Sequence, residues 1–347
     1  MISSPLRIAA LLAFGAGTSG AQRVPPLPLA ISNHAVAAGR VDGTWQLFAM
    51  LGIDSTKRWS GISRRAWAWR STSRTWRELP PVPGPVGRLA ATAQVVRGRL
   101  YLFGGYTVDS AGGEKSAPAV DIFDARRNRW TAGAPIPVPV DDAVSGVYRD
   151  SLVYLVSGWH DTDNVRDVQI YDVVRNRWSS ATPVPGPGVF GHSGAIAGNQ
   201  IVFIDGARRT AGSPRFVNEP QSWIGTIQPS RPDSIVWRKL DAHPAPVRYR
   251  AAAGACGTLV LFAGGTDNPY NYDGIGYDSV PSAPLASVMA LDTRNGRWRR
   301  LDDAPMATMD HRGLPVRGSR AWIVGGMHRE QRVASDVVQW TLDSCHP

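Results

Sequence analysis

Two cysteines in 347 residues allow one disulfide at most, so covalent cross-linking is not what holds this chain together. Lysine is scarce too: Lys57, Lys115 and Lys239 are the three among 38 basic residues, and all the others are arginine. Beyond residue 21 no apolar run approaches the length of a membrane helix, so no membrane span is expected. G-x-S-x-G, H-E-x-x-H and a phosphate-binding glycine loop are all missing, which removes the commonest hydrolase, zinc-protease and nucleotide signatures. The acidic stretches HDTDN (160–164) and TDNPYNYDG fail the spacing of a calcium loop. No metal or other cofactor is therefore expected.

What is present repeats. Short strands of aliphatic and aromatic residues run into glycine at LYLFGGY (100–106), LVYLVSGW (152–159), IVFIDGA (201–207), LVLFAGGT (259–266) and AWIVGGM (321–327). Glycine ends a strand where chains must turn or approach closely. Each copy follows a tryptophan: Trp76, Trp130, Trp178, Trp237 and Trp298. From those tryptophans to the next glycine end-point the distance is 29, 28, 28, 28 and 28 residues, whereas from glycine to the following tryptophan it varies between 20 and 33. Half of the repeat is rigid in length and half is free, as expected for propeller blades whose insertions collect on one face.

One repeat contains a Pro-rich passage (APIPVPVDD), a strand of small residues (AVSGVY), a polar turn, the strand LVYLVSG, a variable loop, and the strand VQIYD turning towards Trp178. That predicts four antiparallel strands per blade, a to d, with prolines in the d-to-a crossings, where no ladder donor is needed. A sixth repeat starts at WQLFAMLG, and the last repeat runs out after DVVQWTLD without a strand d. Residues 22–30, with Leu27 and Pro28 matching Leu79 and Pro80, are expected to supply that outer strand and close a six-bladed, all-β ring.

The glycine doublets, tryptophan spacings and Pro-rich crossings resemble kelch repeats across nearly the whole chain. Within that group, LPLAISN near the start and LFAGGTDNPYNYDGIGY in the fifth blade are similar to bacterial N-acetylneuraminate epimerases, six-bladed mutarotases of sialic acid. The resemblance implies an isomerase that binds an acidic sugar, with a Glu and an Arg in the fourth-blade loop. That loop reads DGARRTAGSPRF, so Arg215 stands for the Arg while Ala207 occupies the place of the Glu. The alternative is a non-catalytic propeller presenting its loops to a protein or a glycan.

Residues 1–21, with Arg7, an apolar run and small residues at Ser19 and Ala21, read as a signal peptide of an exported, periplasmic or secreted protein, leaving 22–347 as one domain. A formal charge of +10 on the full chain invites an acidic ligand, but many arginines lie in repeated turns such as RRNR, and export argues against nucleic acid as a partner. Cys256, in the a-to-b region of blade five, and Cys345, after strand c of blade six, fall at the same end of the ring and are expected to form a disulfide.

The b-to-c loops and d-to-a crossings share one face around the mouth of the central channel, where a rigid scaffold displays binding residues. Candidates at the heads of strands a are Arg88, Asp142, His192, Arg248, Arg250, His311 and Arg312. From the b-to-c loops come Trp159, His160, Arg215, Tyr270 and Tyr272. Arginine forks suit a carboxylate, and flat rings suit the apolar face of a sugar. The same residues also fit a solvated rim. No catalytic residue is assigned.

Overall fold

The computed structural model describes residues 23–342 and 345. The expected signal peptide and residue 22 lie outside them. Strand pairing divides the chain into six antiparallel sheets arranged as propeller blades. Blade 1 holds Ala35–Val41, Thr44–Met50, Ala66–Arg70 and Arg77–Glu78, and blade 3, whose strands are the most regular, holds Val144–Tyr148, Leu152–Val156, Val168–Asp172 and Arg177–Ala181. Helical structure among the described residues amounts to two single turns, Trp59–Gly61 and Arg329–Gln331.

Alternation along strands a to c buries both faces of each sheet, so a separate apolar core fills each of the six gaps between neighbouring blades. The tryptophans of the repeat tie these gaps together. Trp76, Trp130, Trp178, Trp237 and Trp298 each donate the indole N–H to a carbonyl of the crossing that enters their own blade, at Pro25, Pro80, Ala134, Thr182 and Asp241, over 2.8–3.2 Å.

The glycine end-points make the complementary link to the next blade. Gly105 N donates to Val140 O, Gly158 N to Val189 O and Gly265 N to Thr308 O, at 3.2, 2.9 and 2.8 Å. A side chain would not fit: at Gly105, with φ +84°, a Cβ would lie 2.5 Å from Leu89 O. Between tryptophan and glycine the chain is committed to ladders and to these two clamps, which is why that half of the repeat tolerates almost no insertion.

A second ring of hydrogen bonds runs around the channel at the heads of strands a. The amides of Ala90, Asp142, Gly191, Arg250 and His311 donate in turn to the carbonyls of Asn33, Ala90, Asp142, Gly191 and Arg250. In every blade the head residue is left-handed: Asn33, Ala90, Asp142, Gly191, Arg250 and Asp310 all have φ between 49° and 75°. The circuit is closed differently at the seam between blades 6 and 1. There the Asp310 carboxylate accepts from Asn33 N at 2.7 Å and from Asn33 Nδ2 at 2.9 Å.

Closure by the N-terminal segment takes a more particular form than a simple fourth strand. Blade 6 has three paired strands, Val316–Arg317, Arg320–Val324 and Val337–Thr341. The N-terminal chain lies beside the last of them and donates from Leu27 N to Ser335 O (2.7 Å) and from Ile31 N to Ala334 O (3.1 Å), while Gly326 N donates to Ile31 O at 2.9 Å. Leu27 thereby takes the place that Val82 holds in blade 1, where Val82 N donates to Arg64 O. By that register Arg23 stands where Glu78 does in blade 1, and the chain before it lies outside the described residues. Val24, Leu27 and Ile31 are buried among Trp45, Trp67, Trp76 and Trp322, so the segment seals the seam with apolar contact.

Cys256 and Cys345 carry free thiols here rather than a disulfide. They belong to one apolar cluster, and burial followed by the hydrogen bond with Cys256 pushes the Cys345 thiol up to about 12. The raised pKa keeps the Cys345 thiol protonated at neutral pH, but the adjacency of the two sulfurs suits oxidation to a bridge. Intact mass of the oxidised protein is expected to be two hydrogens lighter than that of the reduced protein; free-thiol labelling of both residues under oxidising conditions would exclude the bond.

Candidate functional site

On the loop face, three b-to-c loops fold into short hairpins: Tyr106–Val108 with Glu114–Ser116, Trp159–His160 with Asp163–Asn164, and Ala207–Arg209 with Phe216–Asn218. They stand around a cavity of about 340 Å³ at the channel mouth, bounded also by the blade-five loop through Asn271 and Tyr277. Its wall is aromatic. Tyr106, Trp159, Phe190, Phe216 and Tyr277 line it, with Trp159 and Phe216 edge to face at 5.2 Å and Phe216 against Tyr277 at 4.5 Å. Its polar groups are the carboxyls of Glu114, Asp141, Asp142 and Asp161 and the guanidiniums of Arg215 and Arg250.

These groups are in different states. The Arg250 fork is taken: Nη2 reaches Asp142 Oδ2 at 2.6 Å and Nη1 faces Asp310 Oδ1 at 3.4 Å, with Tyr249 and Tyr270 rings beneath. Arg215 lies over the rings of Phe216 (4.9 Å) and Trp159 (5.6 Å), and among the described residues it makes no salt bridge. It is therefore the cation of the mouth whose fork remains available. Burial, then the neighbouring charge of Asp142, raises the Asp141 carboxyl well above the ordinary carboxylate range, against the opposing hydrogen bond from Ser116 Oγ at 2.6 Å. Glu114 sits on an exposed hairpin, but its carboxyl faces the crowded mouth, and desolvation raises its pKa against the pull of Arg250 and Arg215.

Beneath the cavity the charges change character. Asp142, Arg250, Asp310, Arg312 and Asn33 form a buried cluster across the channel, in which Arg312 contacts Asp142 Oδ1 and Asp310 Oδ1 at 2.6 Å each and donates to Asn33 Oδ1 at 2.7 Å. Two aspartates balance two arginines, and each fork meets a carboxylate, the arrangement that makes a buried ion cluster tolerable. The cluster stands between the mouth and the central channel, a cavity of about 310 Å³ lined by the strands a and reached by Arg312.

Of the residues singled out in the sequence, Asp142, Trp159, Arg215 and Arg250 line the mouth. The others do not, for identifiable reasons. Arg88 is buried against Asp121 of strand c. Arg248 donates to Gly264 O, Ser287 O and Ser287 Oγ at 2.7–2.9 Å, and burial lowers its pKa to about 10. Arg312 belongs to the layer below. His192 contacts Val156 O (2.9 Å), His311 contacts Thr308 Oγ1 (2.7 Å) and His160 contacts Pro139 O (2.7 Å). Tyr270 is fully buried under Tyr249, and Tyr272 packs on the cluster of Ile53, Leu89 and Tyr106. Ala207 is fully buried behind Phe190 and Trp159, so the mouth carboxyls come from blades 2 and 3 instead of blade 4.

Sequence reasoning missed Tyr106, Glu114, Phe190 and Phe216 as site residues. Glutamate is rare here, occurring at 78, 114, 219 and 330, and a lone Glu in a variable loop beside GG was the available signal for Glu114.

Fold and site define a six-bladed kelch-type propeller with a loop-lined cavity at one end of its channel. No family model matches the chain. Among named proteins it is similar to Kelch-like protein terF of Aspergillus terreus, 30% identical over 136 residues, and to Kelch-like protein 35 of Mus musculus, 28% identical over 113 residues. These matches cover 38% and 33% of this chain and 28% and 18% of the relatives, well under two thirds of either. Among solved structures, that of YjhT superposes with a TM-score of 0.74 over 93% of this chain and 98% of its own, at 17% identity, a likeness of fold. No helix among the described residues is long and apolar enough to cross a membrane.

Proposed function

We propose that this propeller is an exported carbohydrate-binding protein related to the sialic acid mutarotases, and that its ligand is an acidic sugar held at the mouth. The observation that carries the reading is the free fork of Arg215 above aromatic walls, in a cavity whose other cation, Arg250, is already paired with carboxylates. Arg215 would take the sugar carboxylate in two parallel hydrogen bonds, Trp159 or Phe216 would cover the ring, and Asp161 would accept from hydroxyls. If anomer exchange accompanies binding, the proton falls to Glu114 or Asp141, whose raised pKa values keep a protonated carboxyl closer to neutral pH than usual. A second reading, a protein-interaction face, is favoured by the exposure of Trp59, Ile275 and Val280 on the same loop face, in blades 1 and 5.

Calorimetric titration with N-acetylneuraminate, a uronic acid and a neutral hexose separates the two. Binding of the acids is expected, and Arg215→Ala should cost about 1.5–3 kcal/mol, the range for hydrogen bonds to a charged group. Arg127→Ala, at the opposite end of the ring, should cost almost nothing. NMR of anomer exchange on the same samples, with Glu114→Gln, reports whether binding is accompanied by catalysis. Absence of binding, or equal losses at Arg127 and Arg215, overturns the acidic-sugar reading.

A further inference from the structure

The other end of the ring has a composition of its own. All a-to-b and c-to-d turns meet there, and its basic residues are arginines without exception: Lys57 and Lys115 stand on the loop face and Lys239 ends strand d of blade 4. The a-to-b turns of blades 1, 2, 3 and 6 expose Arg40, Arg97, Arg99, Arg149 and Arg320. In three c-to-d turns an aspartate locks the loop, Asp124 with Arg127, Asp172 with Arg175 and Asp292 with Arg294, each ion pair being 2.7–2.8 Å. That structural role accounts for one arginine per turn. It leaves Arg129, Arg177 and Arg297, exposed at the start of strand d in the same blades, without an ion pair among the described residues.

The surplus is concentrated between blades 1 and 2, in a depression of about 460 Å³ where Arg40, Arg97, Arg99, Arg126 and Arg127 outnumber the carboxylates of Asp42 and Asp124 in its lining and of Asp150, which accepts from Arg97 N. Arg126 pairs with Asp42 and Arg127 with Asp124, Arg40 is held to Gly43 O, and Arg99 is 3.9 Å from Asp124. Arg97 has no side-chain partner among the described residues. One further feature is apolar: Val174, at the tip of the blade-three turn beside Arg175, is 62% exposed. Exposed arginine forks spread over the turns of several blades, with an apolar tip among them, suit a broad surface that offers phosphates over hydrocarbon.

We propose that this turn face docks on an anionic lipid bilayer, with a lipid phosphate in the Arg97 depression and Val174 at the headgroup boundary. Basic side chains near such a surface contribute about fivefold in affinity each, and the attraction falls off within a Debye length.

The test is co-sedimentation of the purified full chain with phosphatidylcholine vesicles, with and without phosphatidylglycerol. Binding is expected only with the anionic lipid, and it should disappear in about 1 M NaCl, where the Debye length is about 3 Å. Arg97→Ser with Arg99→Ser should weaken it about 25-fold, at about fivefold per arginine. Arg149→Ser, in a different blade, should weaken it about fivefold, and Val174→Ser should weaken it without changing its salt dependence. Lys115→Ala on the loop face should have no effect. Unchanged melting temperatures would show that these exposed substitutions leave the fold intact. Equal binding to neutral vesicles, retention by the arginine variants, or tighter binding of duplex DNA than of the anionic vesicles overturns the proposal.

Discussion

Replacing Asp310 by alanine is expected to lower the unfolding free energy by about 3–5 kcal/mol, the cost of leaving a buried ion cluster short of one partner. The side chain is fully buried, and it contacts Arg312, Arg250 and both nitrogens of Asn33. Its loss leaves two guanidiniums to share the single carboxylate of Asp142 and opens the one link of the inner ring that the backbone does not make. Asp310→Asn keeps the shape and one acceptor but removes the charge, and should recover only part of the loss. Chemical denaturation of the three proteins measures this; a change at Asp310→Ala below about 1 kcal/mol, the size of one ordinary hydrogen bond, would show that the seam does not depend on the carboxylate.

The same cluster sets an acid limit. Burial opposes the Asp310 charge, but Arg312 and Arg250 outweigh it and hold the pKa below its ordinary value of 3.8. The unfolded chain therefore binds this proton first, so the contribution of Asp310 is complete above pH 3.8 and is lost as the pH falls through the lowered value. Buried His34, His192 and His311 act earlier. Desolvation lowers them from 6.5 to about 4, 4 and 3, so their contribution is complete above pH 6.5 and is lost progressively towards pH 4 for His34 and His192 and towards pH 3 for His311. Melting temperature should fall steadily over that interval, and more gently in a His192→Gln variant.

Deleting residues 22–30 is the second large effect. Val24 and Leu27 would leave the seam, each having a burial value of about 1.5–3 kcal/mol, and their loss would uncover Ile31 and the Trp45, Trp76 and Trp322 side chains. Ser335 O and Pro25 O mark the hydrogen bonds that go with them. A loss on the order of 5 kcal/mol takes a third or more of the roughly 5–15 kcal/mol stability of an ordinary domain, so the truncated chain is expected to melt far below the intact one and to aggregate readily on warming. Circular dichroism melts decide it: a truncated protein that melts like the intact one would mean that blade 6 closes without the N-terminal segment.

The blades were legible in the residues because each structural need occurs five or six times. Gly105, Gly158 and Gly265 all donate to the next crossing, and Trp130 and Trp178 both donate back to their own, so the spacing between them repeats. The seam was legible only in part. In sequence Leu27 matches Leu79, three residues off the place of Val82 that it takes in the fold, because the Pro-rich crossings differ in length; and the contact of Asn33 with Asp310, 277 positions apart, has no repeated counterpart.

The sequence by itself determined the blade, the number of blades, the positions of the glycine and tryptophan clamps, and which end of the ring carries the variable loops. These follow from local periodicity and from chain length. The tertiary structure alone decided which polar residues remain free to act. Arg248 and Arg215 are the same residue type in comparable loop-face positions, yet the first spends its donors on Gly264 and Ser287 while the second lies over Trp159 and Phe216 without a salt bridge. Glu114, Asp141, Phe216 and Tyr277 come from four blades and meet only when the ring closes. Their separations in the chain say nothing of that meeting, because the physical distance between loops is set by the curvature of the whole ring and not by any segment of it.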